Sequence, residues 1–579
     1  MWQLARAERD QHVRAQTGGL LQLLTFEALQ PAQHRRSRQP GEHVSQVLDV
    51  HRRFSFTNGA IGAAAGSRCS SWHTCEASSG VPGGVCHDPQ SSDNRRDMQT
   101  QHFIDGTWQA GTRSDTIPVV DPSTGAVFGA LARGTDLDIG RAVASSRAAV
   151  GETFDGPWGR LPAAQRGRLM ARLALAVTER NEEFAQLEAR DTGKSLKTAR
   201  VDAAALARYF EYYGGACDKL HGETLPYEPG YTVLTIREPH GVTGHIIPWN
   251  YPMQIFGRTV GASLAAGNAC VVKPAEDASL SILRLAELAV EIGFPAGALN
   301  VVTGYGHEAG AALTAHPGID HISFTGSTVT GRLVAEAAAA RHCPVTLELG
   351  GKSPQLVFDD ADLDAALPVV VNAIIQNAGQ TCSAGSRLLV QRGIYETVLD
   401  RLGERFSALR AGPPALELEM GPLVNRKQFE LVQGFIRHAE DAQIPVMARG
   451  TLHPDAASAG FYQAAVLFRD VPHESALAQQ EIFGPVLAAM PFDDEDEAIR
   501  LANGTDYGLV AGVWTRDGAR QLRVARKLRC GQVFVNNYGA GGGVELPFGG
   551  VKSSGHGREK GFEALLGFTV LKTIAIKHG

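Results

Sequence analysis

The sequence predicts an α/β protein: a parallel sheet covered by helices on both faces, followed by a second α/β region. Three observations predict it. Between residues 232 and 347 strand-like and helical runs alternate: TVLTIREP, VTGHIIP, ACVVKP, SILRLAELAVEIG, LNVVTG, HISFTG, GRLVAEAAAA and PVTLEL. That rhythm belongs to βαβ units, whose crossover helices cover a parallel sheet. A second alternating region runs from about 354 to 535. The length of 579 residues exceeds what one core organises, so about two to four domains are expected.

The elements follow in order. Residues 1–97 hold three of the eight cysteines and six of the nineteen histidines, show little apolar periodicity beyond LLQLLTF, and close on the linker-like HDPQSSDNRRD. They are expected to form a poorly ordered extension, with Met98 as the natural start. Cys69, His73, Cys75, Cys86 and His87 match no common zinc spacing and read as unligated side chains. From Met98, HFIDGTW and DTIPVVDPSTGAVFGAL are short strands with turns between them. AAQRGRLMARLALAVTERNEEFAQLEARDTG is one long helical pattern stopped by Gly193. FTGSTVTGR is a strand running into a helix that opens near Thr330 and Gly331. AALPVVVNAIIQ is an apolar helix that breaks at NAGQ and resumes as the strand SRLLVQ.

Composition narrows the function. A net charge of −6 provides no basic field for nucleic acid. Apolar residues make up 44% and charged residues 20%, and no window approaches the roughly 18 apolar residues of a membrane span. The cysteines show no paired spacing, so reduced thiols and a cytoplasmic location are expected. The N-terminal apolar run is too short for a secretory signal and is broken by Gln22, while Glu8, Asp10 and Glu27 argue against a transit peptide.

Several motifs have the residue types of chemistry. In VVKPAE, Lys273 and Glu276 lie at a strand end and suit the two hydroxyls of a ribose, or are a strand surfacing into a charged loop. VVTGYGHEAG carries Gly304, Gly306 and Gly310 but lacks the G-x-G-x-x-G spacing. FTGSTVTGR suits a phosphate at a helix start, or is an ordinary capped turn. In PWN, Pro248 takes the chain out of the sheet and leaves Asn250 at its ligand edge, as an oxyanion donor or a turn residue. Glu348 in TLELGGKSP lies in an apolar strand end that would raise its pKa, making it a general base, unless Lys352 pairs with it. Cys382 lies in a loop among small residues, without a nearby cysteine or histidine to support a metal site.

PWN, VVKPAE, FTGS, LELGGKSP, NAGQTCSAGSR, EIFGPV and LPFGGVKSSGHGRE occur in this order from Met98 to the C-terminus. Together they resemble the NAD(P)-dependent aldehyde dehydrogenase superfamily, of the non-acylating, betaine-aldehyde-dehydrogenase-like kind. The resemblance implies a Rossmann-type cofactor domain (98–220 and 240–349), an α/β catalytic domain (350–555) and an oligomerisation arm (221–239 and 556–579), in homodimers or homotetramers. It implies Cys382 as nucleophile, Glu348 as general base and Asn250 as oxyanion donor. The cofactor contacts it implies are Ile247, Pro248, Trp249, Lys273, Glu276, Gly306, Gly310, Phe324, Gly326, Ser327, Thr330, Leu349, Glu481 and Phe483. No metal is implied.

The resemblance implies a small-molecule aldehyde as substrate. Tyr251, Arg258 and Gln376 are its expected pocket residues. Arg258 stands where many relatives carry tryptophan; succinate-semialdehyde-like and aryl-aldehyde relatives also carry arginine there. Gln376 and the glycine-rich loop NNYGAGGGVELPF lack the other carboxylate contacts of the semialdehyde relatives, so a wide mouth for a bulky or aromatic aldehyde is expected. Glu276 would repel a 2′-phosphate, so NAD is expected over NADP. Two rival readings are a CoA-acylating enzyme, against which Glu348 argues, and a non-catalytic protein on this fold, against which the intact Cys382, Glu348 and Asn250 argue.

Overall fold

The computed structural model describes residues 101–539 and 543–579. The extension expected over residues 1–97 and the centre of the glycine-rich loop lie outside them.

The first sheet has eight strands. Its centre is five parallel strands in the spatial order Leu299–Val301, Ala269–Pro274, Val242–Ile247, His321–Thr325 and Val345–Glu348. The chain first builds outward in one direction from Val242–Ile247 and then restarts on its other side. That reversal between Val242–Ile247 and His321–Thr325 is the switch point at which open α/β sheets leave a crevice beyond the strands' carboxyl ends. The helix Pro252–Ala266 joins Val242–Ile247 to Ala269–Pro274. It is buried on every side, begins on a proline and stops at Gly267 with a left-handed φ of 106°.

The second sheet has seven strands, with Pro354–Val357, Arg387–Gln391, Val486–Phe492 and Val510–Trp514 parallel in its middle. Each sheet carries its own large apolar core. Glu348 ends a strand of the first sheet and Pro354 begins one of the second, so the five residues 349–353 make this crossing.

Three sequence expectations change. TVLTIREP does not enter the parallel sheet. The strand Tyr231–Pro239 pairs antiparallel with Thr569–Lys577. Only His240 and Gly241 separate it from Val242–Ile247, far too few residues for a parallel crossover. The single long helix ending at Gly193 is two, Ala163–Glu179 and Asn181–Thr192, broken at Arg180 (φ −109°, ψ 24°). The helix expected near Thr330 begins at Thr328, because Ser327 takes the capping position and its Oγ accepts from the Thr330 N–H.

Residues 221–239 and 556–579 contribute the strands Thr224–Leu225, Tyr231–Pro239 and Thr569–Lys577 of a small antiparallel sheet. Residue 555 is no boundary of the backbone: Gly555–His556 is the eighth strand of the first sheet, paired with Leu347 and Glu348. Among the described residues no helix is long and apolar enough to cross a membrane, and the five described cysteines are free.

Candidate active site

Cys382 is positioned by a strained turn. The apolar helix Leu363–Ile375 ends and three consecutive residues turn left-handed: Asn377 (φ 51°), Ala378 (φ 53°) and Gly379 (φ 76°). Asparagine tolerates this region; alanine pays about 1 kcal/mol or more. A side chain on Gly379 would put its Cβ 2.2 Å from the Gly484 carbonyl carbon, so glycine is required there for space as well as for φ. The turn is held from several sides. Asn377 Nδ2 donates to the Asn250 carbonyl (2.8 Å), and Gln380 Oε1 accepts from the Val424 N–H (2.9 Å). Tyr538 OH donates to the Ser383 carbonyl (2.6 Å). Cys382 thereby lines a cavity of about 360 Å³ together with Asn250, Tyr251, Arg258 and Gln376.

Asn250 leaves the carboxyl end of Val242–Ile247 and meets the cysteine turn reciprocally. Its Nδ2 donates to the Gln380 carbonyl (3.1 Å). An amide nitrogen has two N–H donors, so one remains for a ligand. Its own carbonyl also accepts from Lys194 Nζ (3.1 Å). Lys194 is fully buried, ion-paired to Glu188 (2.8 Å) and Asp202 (2.5 Å), and sits 4.5 Å over the Tyr251 ring. This cationic post beneath Asn250 was not legible in the sequence, because nothing local marks the lysine of DTGKS as buried.

Glu348 is 2% exposed, and neither carboxylate oxygen has a hydrogen-bond partner among the described residues. Burial, and then the charge of Glu559, push its pKa well above the usual carboxylate range; Arg258 opposes the shift. Lys352 does not pair with it. That amine also lacks a hydrogen-bond partner among the described residues, and burial beside Arg387 pushes it down to about 7. Burial pushes the Cys382 thiol up to about 11, again with Arg258 opposing.

Arg258 lines the cavity but its charge is matched. Its guanidinium and the buried Glu559 carboxylate are in direct ion contact, off the hydrogen-bonding direction. Ser323 Oγ donates to the other Glu559 oxygen (3.1 Å). Glu559 had been visible only as the last letter of a motif.

The expected cofactor residues converge on the crevice. Ile247, Pro248 and Trp249 end or follow one strand, and Lys273 lies at the end of the next. Phe324, Gly326 and Ser327 lie at the end of the third, and Leu349 directly follows Glu348. The register pairs Ile246 with both Lys273 and Phe324, and Thr325 with Glu348, which levels these strand ends. Gly306–Gly310 form a π-helical turn after Leu299–Val301. Lys273 Nζ and Glu276 Oε2 are 3.1 Å apart. From the second sheet's side, the Phe483 ring meets Trp249 edge-on at 5.3 Å, and Glu481 Oε1 accepts from the Gly351 N–H (3.0 Å). A Cβ on Gly350 would lie 2.2 Å from Glu481, whereas Gly306 faces open space. Burial pushes Glu481 up to about 7.

Residues 108–574 match the model of the aldehyde dehydrogenase family. An aldehyde dehydrogenase of Emericella nidulans is 41% identical over 479 residues, 82% of this chain and 95% of that one. The mitochondrial benzaldehyde dehydrogenase of Antirrhinum majus is 41% identical over 82% of this chain and 88% of its own. A crystal structure from Burkholderia cenocepacia is 69% identical with a TM-score of 0.81, covering 83% of this chain and 100% of that one. The NAD⁺ complex of a Bacillus cereus aldehyde dehydrogenase is 39% identical with a TM-score of 0.80, covering 85% and 99%. Staphylococcus aureus betaine aldehyde dehydrogenase stands lower, at 32% identity with a TM-score of 0.80 over 84% and 97%.

Proposed function

The chain belongs to the aldehyde dehydrogenase family, and from that premise we propose how its own residues oxidise an aldehyde to the carboxylic acid. One observation carries the reading: a thiol lining the cavity, an amide with a spare donor and a buried carboxyl without a hydrogen-bond partner among the described residues surround one crossing between two sheets. A side chain on Gly351, within that crossing, would put its Cβ 2.4 Å from the Cys382 carbonyl oxygen.

Cys382 is the nucleophile. Burial favours its protonated form, so the thiol first releases its proton to water and attacks the aldehyde carbon as the thiolate. The oxyanion that forms receives the second Asn250 N–H and the Cys382 backbone N–H. Losing one such donor typically costs about 2.7–4 kcal/mol. Lys194 and Asn377 hold the Asn250 carbonyl and so aim its amide. NAD, when bound, would supply the hydride acceptor for the substrate carbon. Cys382 then carries a thioester. Glu348 takes a proton from water, the resulting oxygen nucleophile attacks the thioester, the sulfur leaves, and the acid departs.

The crevice fits the dinucleotide: an ion pair at a strand end, a capped helix start and an unobstructed Gly306. Lys273 and Glu276 would hold the adenosine ribose, Ser327 and Thr330 the pyrophosphate side, and Glu481 and Phe483 the nicotinamide ribose. Glu276 disfavours NADP. Tyr251, Phe534, Tyr538 and Phe548 in the cavity wall support a bulky or aromatic aldehyde. We place the enzyme in the cytoplasm as a homodimer or homotetramer.

Cys382→Ala tests the reading. It should abolish aldehyde-dependent NADH formation while leaving NAD binding by fluorescence nearly intact. Turnover equal to the wild type would overturn it.

A further inference from the structure

The helix that leads into the cysteine turn brings two carboxamides to the cavity. Leu363–Ile375 ends at Gln376, whose N–H donates to the Asn372 carbonyl. Residues four apart lie on one face of a helix, one turn above the other. Asn372 and Gln376 therefore share a face, and both line the cavity that holds Cys382. Asn372 is exposed and Gln376 half-buried, so the pair runs from the cavity's mouth inward.

Neither side chain has a hydrogen-bond partner among the described residues. Other polar groups of the wall are engaged by the protein itself. Gln254 Nε2 donates to Asp202 (2.6 Å), and Gln532 Nε2 donates to the Pro547 carbonyl (2.7 Å). The Tyr251 hydroxyl lies 3.0 Å from Thr381 Oγ1. Small-molecule sites fix orientation in this way, with a few placed polar groups on a wall of apolar and aromatic side chains. A carboxamide presents both N–H donors and a carbonyl acceptor. A hydroxyl between two carboxamides accepts from one and donates to the other. A carboxylate would leave both carbonyls unmatched, and an ammonium both amino groups.

We propose that Asn372 and Gln376 are specificity-determining residues that select aldehydes carrying a neutral hydroxyl at the end remote from the reacting carbon. The inference rests on the reading of this cavity as the aldehyde pocket and names the substrate class within it. The aromatic wall would flank the substrate's body while the hydroxyl meets the two carboxamides nearer the mouth.

The test compares 4-(hydroxymethyl)benzaldehyde with 4-ethylbenzaldehyde, in which a methyl replaces the hydroxyl, by the ratio of their kcat/KM values with NAD. Asn372→Leu and Gln376→Met keep the size of each side chain and remove its amide. Each should lower the ratio about threefold or more, and the double variant about tenfold or more, as expected for the loss of one and of two hydrogen bonds. A variant that merely disturbs the cysteine turn lowers both rates together and leaves the ratio alone. Asn372 is exposed, so its variant retains the fold even where Gln376→Met does not. A ratio unchanged in Asn372→Leu and in the double variant overturns the inference and leaves the aldehyde reading standing, as does a wild type that oxidises propanal but neither benzaldehyde. A wild type inert towards all three overturns the two together.

Discussion

Glu348 and Glu276 show how two carboxylates of one sheet acquire different tasks. Glu348 is buried without a hydrogen-bond partner among the described residues, so it holds a proton more tightly than an ordinary carboxylate and, once ionised, is a strong base. Glu348→Gln keeps the shape and removes the base. Hydride transfer should survive and thioester hydrolysis should slow by about 10²–10⁴-fold, giving a burst of NADH and then slow turnover in stopped flow. A steady-state rate like the wild type's would exclude Glu348 as the base. Glu276 instead sits at the crevice rim, paired to Lys273. A carboxylate facing a 2′-phosphate costs on the order of 1–3 kcal/mol, or roughly 5- to 150-fold in selectivity. Lys273 softens this, so the expectation is preference for NAD, with Glu276→Ser raising relative NADP use. Equal kcat/KM for the two cofactors in the wild type would mean that Glu276 does not read the ribose. The candidate residues were legible because each is a reactive type in a short motif. Their partners were not, since Lys194 and Glu559 carry no local mark of burial.

At the scale of elements, one helix depends on another for its cap. Ser279 precedes the helix Leu280–Glu291 but makes no side-chain capping bond. Asp191, near the end of Asn181–Thr192, accepts from the Leu280 N–H instead (2.9 Å). A helix start favours a charged carboxylate, yet burial wins and pushes Asp191 up to about 8. In the unfolded chain aspartate releases its proton near 3.9, roughly. The folded state thus holds the proton more tightly, and this contribution to stability is full below that lower value and lost as pH rises towards 8. Asparagine does not titrate and can still accept from Leu280. The melting temperature of Asp191→Asn relative to wild type should therefore rise between pH 6 and pH 9. A difference constant over that range would show that Asp191 keeps no proton in the fold. Periodicity located these helices; it missed the break at Arg180, because the apolar stripe continues through it.

Across the whole molecule, the strand Thr569–Lys577 is an edge of the small sheet and exposes Val570, Leu571 and Ile576. An exposed apolar edge strand invites pairing with another chain. In the proposed homo-oligomer, Val570→Lys combined with Leu571→Lys should shift the mass in analytical ultracentrifugation towards the monomer. An unchanged mass would remove this strand from the interface. The sequence by itself determined the α/β class and the reactive residue types in their order along the chain, because strand alternation, turn residues and short motifs are properties of near neighbours. Only the tertiary structure decided the partners of those residues: Asn250 against Gln380, 130 positions away, and Ser323 against Glu559, 236 positions away. Such contacts follow from the packing of two sheets against each other, and burial there sets the protonation of Glu348 and the pairing of Arg258 with Glu559. No local pattern encodes either, since both depend on what the rest of the chain brings alongside.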